Sequence, residues 1–412
     1  MSLERDRQVL RELAGRYAGA AAEEVNQKRK ELHYGVNDLK QIRPVVLIDE
    51  IPWNEFSGLD EMKLQCVDEE LREAERYLRQ KLYQWEHFPC DMILRDYFPV
   101  QKKISSTGIG LEVKEVTKET DETNNVVSHD YIEQLSSPEE LELFHPPVIT
   151  YEKEETERIC SKLSEMFGDI LPVKAEGLEL HMHPWDDIVC YRDFTNLLYD
   201  FIDEPEFMHA TVKKMSEICR STLEQYEELN LLKANACELH STSALTHDLP
   251  KEGFDPEHVR AKDVWGRGAA QIFTTVSAQM HDEFDITYMK ELLAPFGLNY
   301  YGCCEPLHNK IHVVEQIPNL RKISISPWAD VDIAAETIGS KYVLGAKPSS
   351  ALVASASIDQ EIIRKEIQRI ADACRRNNCS CDMVLKDIST ISYHSENLEL
   401  WAKIAMETVE NW

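Results

Sequence analysis

The chain of 412 residues carries 45 Lys and Arg against 74 Asp and Glu, which is a formal net charge of −29. So acidic a chain repels phosphate backbones and anionic membrane surfaces, which argues against nucleic acid and membranes as partners. Hydrophobic residues make up 43% of the sequence and charged residues 29%, as expected of a globular protein with a large core.

Targeting patterns and cysteine content indicate in which cellular compartment the protein is expected. No stretch approaches the ~20 apolar residues of a membrane span, and residues 1–30 lack the apolar core of a secretory signal. The 11 cysteines are odd in number and irregularly spaced, which favours reduced thiols over a disulfide framework. We therefore expect a cytoplasmic protein.

The amino-terminal part of the chain mixes helical and extended patterns. Leu10, Leu13 and Tyr17 recur at helical spacing, and residues 43–52 form a short apolar run between prolines, which is typical of a buried strand. The remaining predictions here are a helix over 59–85, extended segments at 92–99, 103–116 and 169–176, a polar loop over 118–137 and a helix start at 137–140.

The middle of the chain alternates between helical and strand-like patterns. Apolar spacing predicts helices over 193–201, 206–229 and 278–296 and a strand over 231–239, whereas 256–271 has the pattern of mixed loop and helix.

Four strand–helix units follow one another in the last third. The predicted strands are 298–304, 320–326, 342–346 and 382–387, and the helices that follow them end near 317, 338, 377 and 409. This alternation requires a parallel sheet with helices outside, and its even spacing favours an α/β fold of the (β/α)₈ TIM-barrel type. No glycine-rich phosphate loop follows a predicted strand, which argues against a dinucleotide-binding fold.

The predicted domain organisation follows from this pattern. We expect a helical amino-terminal extension over residues 1–42 and one barrel over 43–412, with a helical and loop insertion at about 55–165. Barrel enzymes keep their working groups in the loops at the carboxyl ends of the strands. The functional site is therefore predicted at that end.

Several motifs at the predicted strand ends resemble the uroporphyrinogen decarboxylase superfamily, and within it the cobalamin-dependent methyltransferase branch. The stretches that carry the resemblance lie between residue 169 and the carboxyl terminus, and they are His183–Asp187, Phe194–Pro205, Tyr300–Pro306, Ile325–Asp330 and Leu385–Thr390. The superfamily fold is the barrel already predicted, and related barrels commonly pair as homodimers.

The resemblance brings two reactions into question, the decarboxylation of a tetrapyrrole and the transfer of a methyl group. Tetrapyrrole decarboxylases carry an arginine-rich stretch after the first strand, where this chain has the acidic Asp49–Asn54, so the decarboxylation of a polyanionic porphyrinogen is not expected. The methyltransferase branch holds zinc with a His-x-Cys pair and a later Cys. In this sequence Gly302 stands at the His position, Cys304 matches the first Cys, and Asp387 or Ser389 stands where the second Cys is expected.

A zinc site is predicted from Cys304, Glu305 and His281. Cys sulfur, carboxylate oxygen and imidazole nitrogen are the ligands that zinc prefers, and a catalytic site leaves one position open. The alternatives are that Cys303 and Cys304 are two small buried hydrophobic residues, and that the acidic residues after His281 only cap a helix.

The predicted substrate and catalytic residues come from the other strand ends. The resemblance places 181–187 in a loop that lines the substrate, and the predicted substrate-binding residues are His183, Trp185, Glu176, His240 and Trp328. Asp330, Lys386 and Asp387 are the predicted catalytic residues, since a Lys and an Asp at a barrel mouth can orient a leaving group or act as a general acid. Structural pairing of Lys386 with Asp387 is the alternative.

Together these features predict a zinc-assisted methyltransferase. It would move a methyl group between a small methylated substrate or a thiol and a corrinoid cofactor on a partner protein, with zinc as a Lewis acid. A metal-independent decarboxylase or lyase and a non-catalytic tetrapyrrole-binding barrel are the alternatives, because the fold alone does not decide the reaction.

Overall fold

A computed structural model describes residues 2–119 and 127–412. The helices of this part are α1 (Ser2–Ala21), α2 (Glu24–Asn37), α3 (Glu69–His87), α4 (Pro138–Leu141), α5 (Lys153–Phe167), α6 (Pro184–Ile188), α7 (Phe194–Asp203), α8 (Pro205–Glu228), α9 (Ala278–His281), α10 (Thr287–Leu293), α11 (Ile311–Val314), α12 (Val331–Ile338), α13 (Gln360–Arg376) and α14 (Glu396–Val409). A π-helical turn, Asp282–Ile286, joins α9 to α10.

The strands of the same part of the chain are β1 (Val45–Ile48), β2 (Phe98–Gln101), β3 (Ile104–Ser106), β4 (Glu115–Glu119), β5 (Val127–Tyr131), β6 (Ile149–Tyr151), β7 (Val173–Glu176), β8 (His181–Met182), β9 (Glu238–Leu239), β10 (Thr242–Ser243), β11 (Trp265–Gly268), β12 (Leu298–Tyr301), β13 (Leu320–Ile325), β14 (Val343–Ala346) and β15 (Ser380–Leu385).

Seven strands form one parallel sheet in the order β1-β15-β14-β13-β12-β11-β8. The predicted α/β class and the parallel sheet are therefore confirmed. Within the described residues β1 and β8 do not pair with each other, so the structure does not show the closed eight-stranded barrel that the even spacing favours. All seven carboxyl ends still lie along one edge of the sheet, because the strands are parallel.

The two faces of this sheet are covered differently. On one face Ile323, Leu344 and Met383 lie in an apolar core with α12, α13 and α14. On the other face a two-stranded hairpin of β9 and β10 crosses the sheet. Burial on both faces explains why these strands are short apolar runs rather than alternating ones.

The strand predicted over 231–239 is interrupted: Leu232 forms an isolated parallel bridge with Leu178, and only β9 at the end of this range belongs to the hairpin. Polar side chains hold the hairpin to the sheet: Asp382 Oδ2 accepts hydrogen bonds from Thr242 Oγ1 at 2.7 Å and from Ser243 Oγ at 2.8 Å. Lys322 Nζ lies 2.6 Å from the same oxygen and donates to Ser243 O at 2.8 Å. These partners come from distant strands, which the local pattern of the hairpin does not reveal.

Two other predictions change at their boundaries. Helix α3 begins at Glu69 rather than near residue 59, because Asp68 caps it by accepting a hydrogen bond from the Leu71 backbone. The loop predicted over 118–137 includes the end of β4 and the whole of β5, which pair antiparallel. Residues 120–126 of that prediction lie outside the described residues. In the described part no helix is long and apolar enough to cross a membrane.

Candidate functional site

The sharp turn after β12 brings two thiols to one side. The strand ends at Tyr301, and Gly302 follows with φ 97°, a conformation that strains residues with a Cβ. The Sγ atoms of Cys303 and Cys304 then lie 3.6 Å apart. Adjacent residues of a strand would point to opposite faces. The two thiols meet only because the strand has already ended.

Lys386 and Asp387 reach the thiols from the end of β15. Lys386 Nζ lies 3.2 Å from Cys303 Sγ and 3.4 Å from Cys304 Sγ. Its other partner is Asp387 Oδ2 at 3.0 Å, and the Cys304 thiol donates to that same oxygen at 3.3 Å. We call Cys303, Cys304, Lys386 and Asp387 the thiol cluster. The structure thus brings together three of the predicted residues, Cys304, Lys386 and Asp387.

The surroundings of the thiol cluster favour ionisation of one thiol. The pKa of the Cys303 thiol is lowered most by its hydrogen bond with Cys304. A hydrogen bond with His240 and the charge of Lys386 lower it further, and together these effects outweigh burial, which raises it. The pKa of Cys304 is raised by its hydrogen bond with Cys303, by burial and by the nearby Asp387 carboxylate. The two opposite shifts favour ionisation of Cys303 over ionisation of Cys304.

Glu50 and His240 complete the polar surroundings. Glu50 Oε2 accepts a hydrogen bond from the Asp387 backbone at 2.8 Å, and its Oε1 lies 3.3 Å from His240 Nε2. Burial raises the pKa of Glu50. His240 stands at the turn of the β9–β10 hairpin, so the anchoring of that hairpin places its ring beside Cys303. The sequence analysis found His240 but missed Glu50, which belongs to the acidic stretch after the first strand.

A pocket opens beside the thiol cluster. Its volume is about 90 Å³, and Trp328, with 78% of its surface exposed, stands at its rim. An exposed indole next to a reactive group is typical of a surface that contacts a ligand or partner. The lining residues are Cys303, Cys304, Pro327, Trp328, Lys347, Pro348, Ser349, Ser350, Ala351, Lys386 and Asp387.

The residues predicted to hold zinc do not meet. Both carboxylate oxygens of Glu305, which is 1% exposed, accept backbone hydrogen bonds, from Ala270 at 3.1 Å and Cys303 at 2.6 Å. His281 is fully buried, and its Nε2 lies 2.6 Å from the Tyr301 hydroxyl. It ends α9 next to the π-helical turn rather than opening a helix at the mouth of the site.

This arrangement does not fit the zinc site that we predicted. Among residues 2–119 and 127–412, no group of three or more His, Cys, Asp or Glu side chains is placed to hold a metal ion. The ammonium group of Lys386 stands beside both thiols instead. A cation that the chain itself supplies thus compensates the thiolate, and we derive no step through zinc.

The predicted substrate-binding residues divide into two groups. His240 and Trp328 lie at the thiol cluster and its pocket, as described above. Trp185 is fully buried and its Nε1 donates to Phe284 O at 2.8 Å, so it belongs to the core. Glu176 binds Arg95 at 2.5 Å and lines a separate cavity of about 270 Å³. His183 is half-buried and paired with Asp187 at 3.3 Å.

Asp330 does not join the thiol cluster. Its Oδ1 accepts hydrogen bonds from the Asp332 backbone at 3.0 Å and the Ile333 backbone at 3.4 Å, which caps α12. A carboxylate at a helix start satisfies free backbone N–H groups and interacts favourably with the helix dipole. The structure therefore places a capping group where we predicted a catalytic one.

We expect the Asp330→Ala variant to lose about 1 kcal/mol of unfolding free energy, since the cap is lost. The rate at which iodoacetamide alkylates Cys303 should not change. Urea unfolding and alkylation kinetics measure the two quantities, and Asp330→Asn, which keeps the cap, is the control. A slower alkylation at unchanged stability would instead restore a catalytic role.

Comparison with known proteins supports the fold. No protein family matches the sequence, and no curated protein matches it either. Among solved structures, a methyltransferase from Methanosarcina mazei resembles this chain with a TM-score of 0.51 at 9% sequence identity. The likeness covers 93% of this chain and 98% of that chain. At so low an identity it shows a shared fold along nearly the whole length.

Proposed function

We propose that this chain is a methyltransferase in which the Cys303 thiolate receives the methyl group, with a small methylated substrate or a thiol and a corrinoid on a partner protein as the two reactants. The observation that carries the proposal is the position of the Cys303 thiol, which lies 3.2 Å from the Lys386 ammonium group and lines a pocket at the carboxyl ends of the strands. The fold shared with a methyltransferase supports the same reaction class.

The chemistry follows from the charges of the thiol cluster. A thiolate is a strong nucleophile towards a saturated carbon, and it is ionised at neutral pH only when its pKa is lowered. When Cys303 Sγ attacks the methyl carbon, the S–C bond forms and the bond to the leaving group breaks with its electron pair. A second displacement by the acceptor breaks the S–C bond and restores the thiolate.

Glu50 is placed to supply the proton. Burial raises its pKa, and it bonds the Asp387 backbone next to the pocket. A carboxyl group with a raised pKa is better suited than an ordinary carboxylate to protonate an alkoxide or amine leaving group as it departs. Lys386 keeps its charge, because burial, which lowers its pKa, is outweighed by the negative charges of Cys303 and Asp387.

Methylcobalamin tests the proposal directly. Incubated with the protein in the dark without oxygen, it should transfer its methyl group to Cys303, leaving both electrons of the Co–C bond on cobalt as Co(I). Absorbance reports Co(I), and peptide mass spectrometry reports a methyl group on residue 303. Cys303→Ser should abolish both signals, whereas Cys160→Ser, which changes a half-buried thiol on α5, should change neither.

Two results separate the parts of the proposal. If wild-type protein forms no Co(I) but iodoacetamide still alkylates Cys303 rapidly, the thiolate is present and the methyl transfer is wrong. If iodoacetamide also reacts no faster than with a free thiol, the ionised state of Cys303 is wrong as well.

A further inference from the structure

Arg267 is a buried cation without an anionic partner. It lies on β11 and is 8% exposed. Its Nη1 contacts the ring of His181, 2.8 Å from Nδ1, and its buried Nε has no hydrogen-bond partner. No Asp or Glu of the described residues forms an ion pair with it. Buried arginines are almost always paired, because an unpaired charge in the interior is costly.

Glu179, a carboxylate that lines the same cavity as Arg267, is already engaged. Glu179 lies 3.7 Å from His181 Nε2, but its carboxylate also accepts from Lys233 Nζ at 3.1 Å. His181 itself is an uncharged neighbour, since burial lowers its pKa. The protein therefore holds the guanidinium of Arg267 in place without neutralising it.

Arg267 borders a cavity and lies near the thiol cluster. The cavity has a volume of about 60 Å³ and is lined by Arg267 and His181, by Glu179, Lys233 and Asp263, and by apolar side chains, among them Leu239, Trp265 and Phe296. In the sheet Arg267 is the register partner of Tyr300, three residues before Cys303. Its positive charge contributes to the lowered pKa of Cys303, as expected of a neighbour.

We propose that Arg267 and His181 bind the carboxylate of a small substrate, so that the molecule presented to Cys303 is a small carboxylic acid. A guanidinium offers paired N–H donors that match the two oxygens of a carboxylate, and the small volume of the cavity suits a short acid better than a bulkier phosphate ester. This inference rests on the proposed function in one respect: it takes Cys303 as the reacting group.

The test compares two alkylating reagents of equal size and different charge. Iodoacetate carries a carboxylate and iodoacetamide does not; with either one the S–C bond to Cys303 forms and iodide leaves. For Cys303 we expect the ratio of the iodoacetate rate to the iodoacetamide rate to be about tenfold higher than the same ratio for the free thiol of glutathione. Tenfold is the effect expected of one hydrogen bond to a charged group. Sodium acetate should protect Cys303, and acetamide should not.

Variants at Arg267 make the test specific. Arg267→Met should lower the rate ratio about tenfold while iodoacetamide still reacts, and Arg267→Lys should retain part of the preference. Arg364→Met, which removes an exposed arginine paired with Glu407, should leave the ratio unchanged. Arg267→Met is expected to fold, because its removal leaves no counter-charge unpaired; circular dichroism checks this.

A direct binding measurement keeps the two proposals separable. Because a ligand that binds only the folded state stabilises it, acetate should raise the thermal midpoint of the wild-type protein. The Cys303→Ser variant should show the same increase, and the Arg267→Met variant should show none. If acetate stabilises wild type and Arg267→Met alike, or if wild type shows no preference for iodoacetate, the carboxylate subsite is wrong. Fast iodoacetamide alkylation in the same experiment would leave the thiolate of the proposed function intact.

Discussion

Replacing Lys386 with Met is expected to slow the alkylation of Cys303 by iodoacetamide at least about tenfold at about pH 6.5, which requires the pKa of Cys303 to rise about one unit or more above that pH. In the wild-type protein the Nζ of Lys386 lies 3.2 Å from Cys303 Sγ. Without it the thiolate would face the carboxylate of Asp387 with no cation beside it. The protonated form of Cys303 then has the lower free energy.

The sign of the pH dependence distinguishes this from a loss of structure. A thiol with a lowered pKa stays ionised as pH falls from 9 towards about 6, so the wild-type rate should be nearly flat there. In Lys386→Met the raised pKa of Cys303 should make the rate fall about tenfold per pH unit below it. Lys386→Arg keeps the charge and should restore the flat profile. A flat profile in Lys386→Met would show that Lys386 does not maintain the thiolate.

Replacing Lys322 with Met is expected to lower the free energy of unfolding by about 3–5 kcal/mol, because a buried carboxylate is left without its cation. Lys322 and Asp382 are both fully buried, with Nζ 2.6 Å from Oδ2. Asp382 also accepts the hydrogen bonds that hold the β9–β10 hairpin. The loss should therefore loosen the turn that carries His240.

Urea unfolding measures this loss, and alkylation kinetics report the displaced His240. Adding Asp382→Leu to Lys322→Met should recover part of the stability, since no buried charge then remains. The recovery stays incomplete because Thr242 and Ser243 lose their acceptor. Lys341→Met, an exposed lysine before β14, is the matched control. A loss below about 1 kcal/mol would mean that the buried pair is not needed to hold the hairpin.

The positions of the strand ends could be predicted from sequence because they depend on local patterns. Short apolar runs alternating with helical segments located β12 to β15 within a few residues, and their parallel order placed Cys304 and Lys386 at one edge. Strand β11 was not predicted, because the segment Trp265-Gly-Arg-Gly268 is short and glycine-rich and resembles a loop. Arg267 was missed with it.

Side-chain directions after the strand ends could not be predicted in the same way. The turn at Gly302 sends the two thiols towards the pocket and Glu305 into the interior. His281 and Trp185 lie in similar sequence contexts to residues of the thiol cluster, yet both are buried with hydrogen-bond partners far along the chain. A residue's type and its place in a motif do not determine which neighbours it meets.

By itself the sequence determined the α/β class, the parallel sheet and the edge at which the candidate functional site lies, because the spacing of apolar residues is a local property. Only the tertiary structure decided that Lys386 compensates the Cys303 thiolate, that the hairpin presents His240, and that Arg267 is left without a counter-charge. Each of these depends on distances between residues far apart in the chain, which are set by packing and hydrogen bonds between different strands.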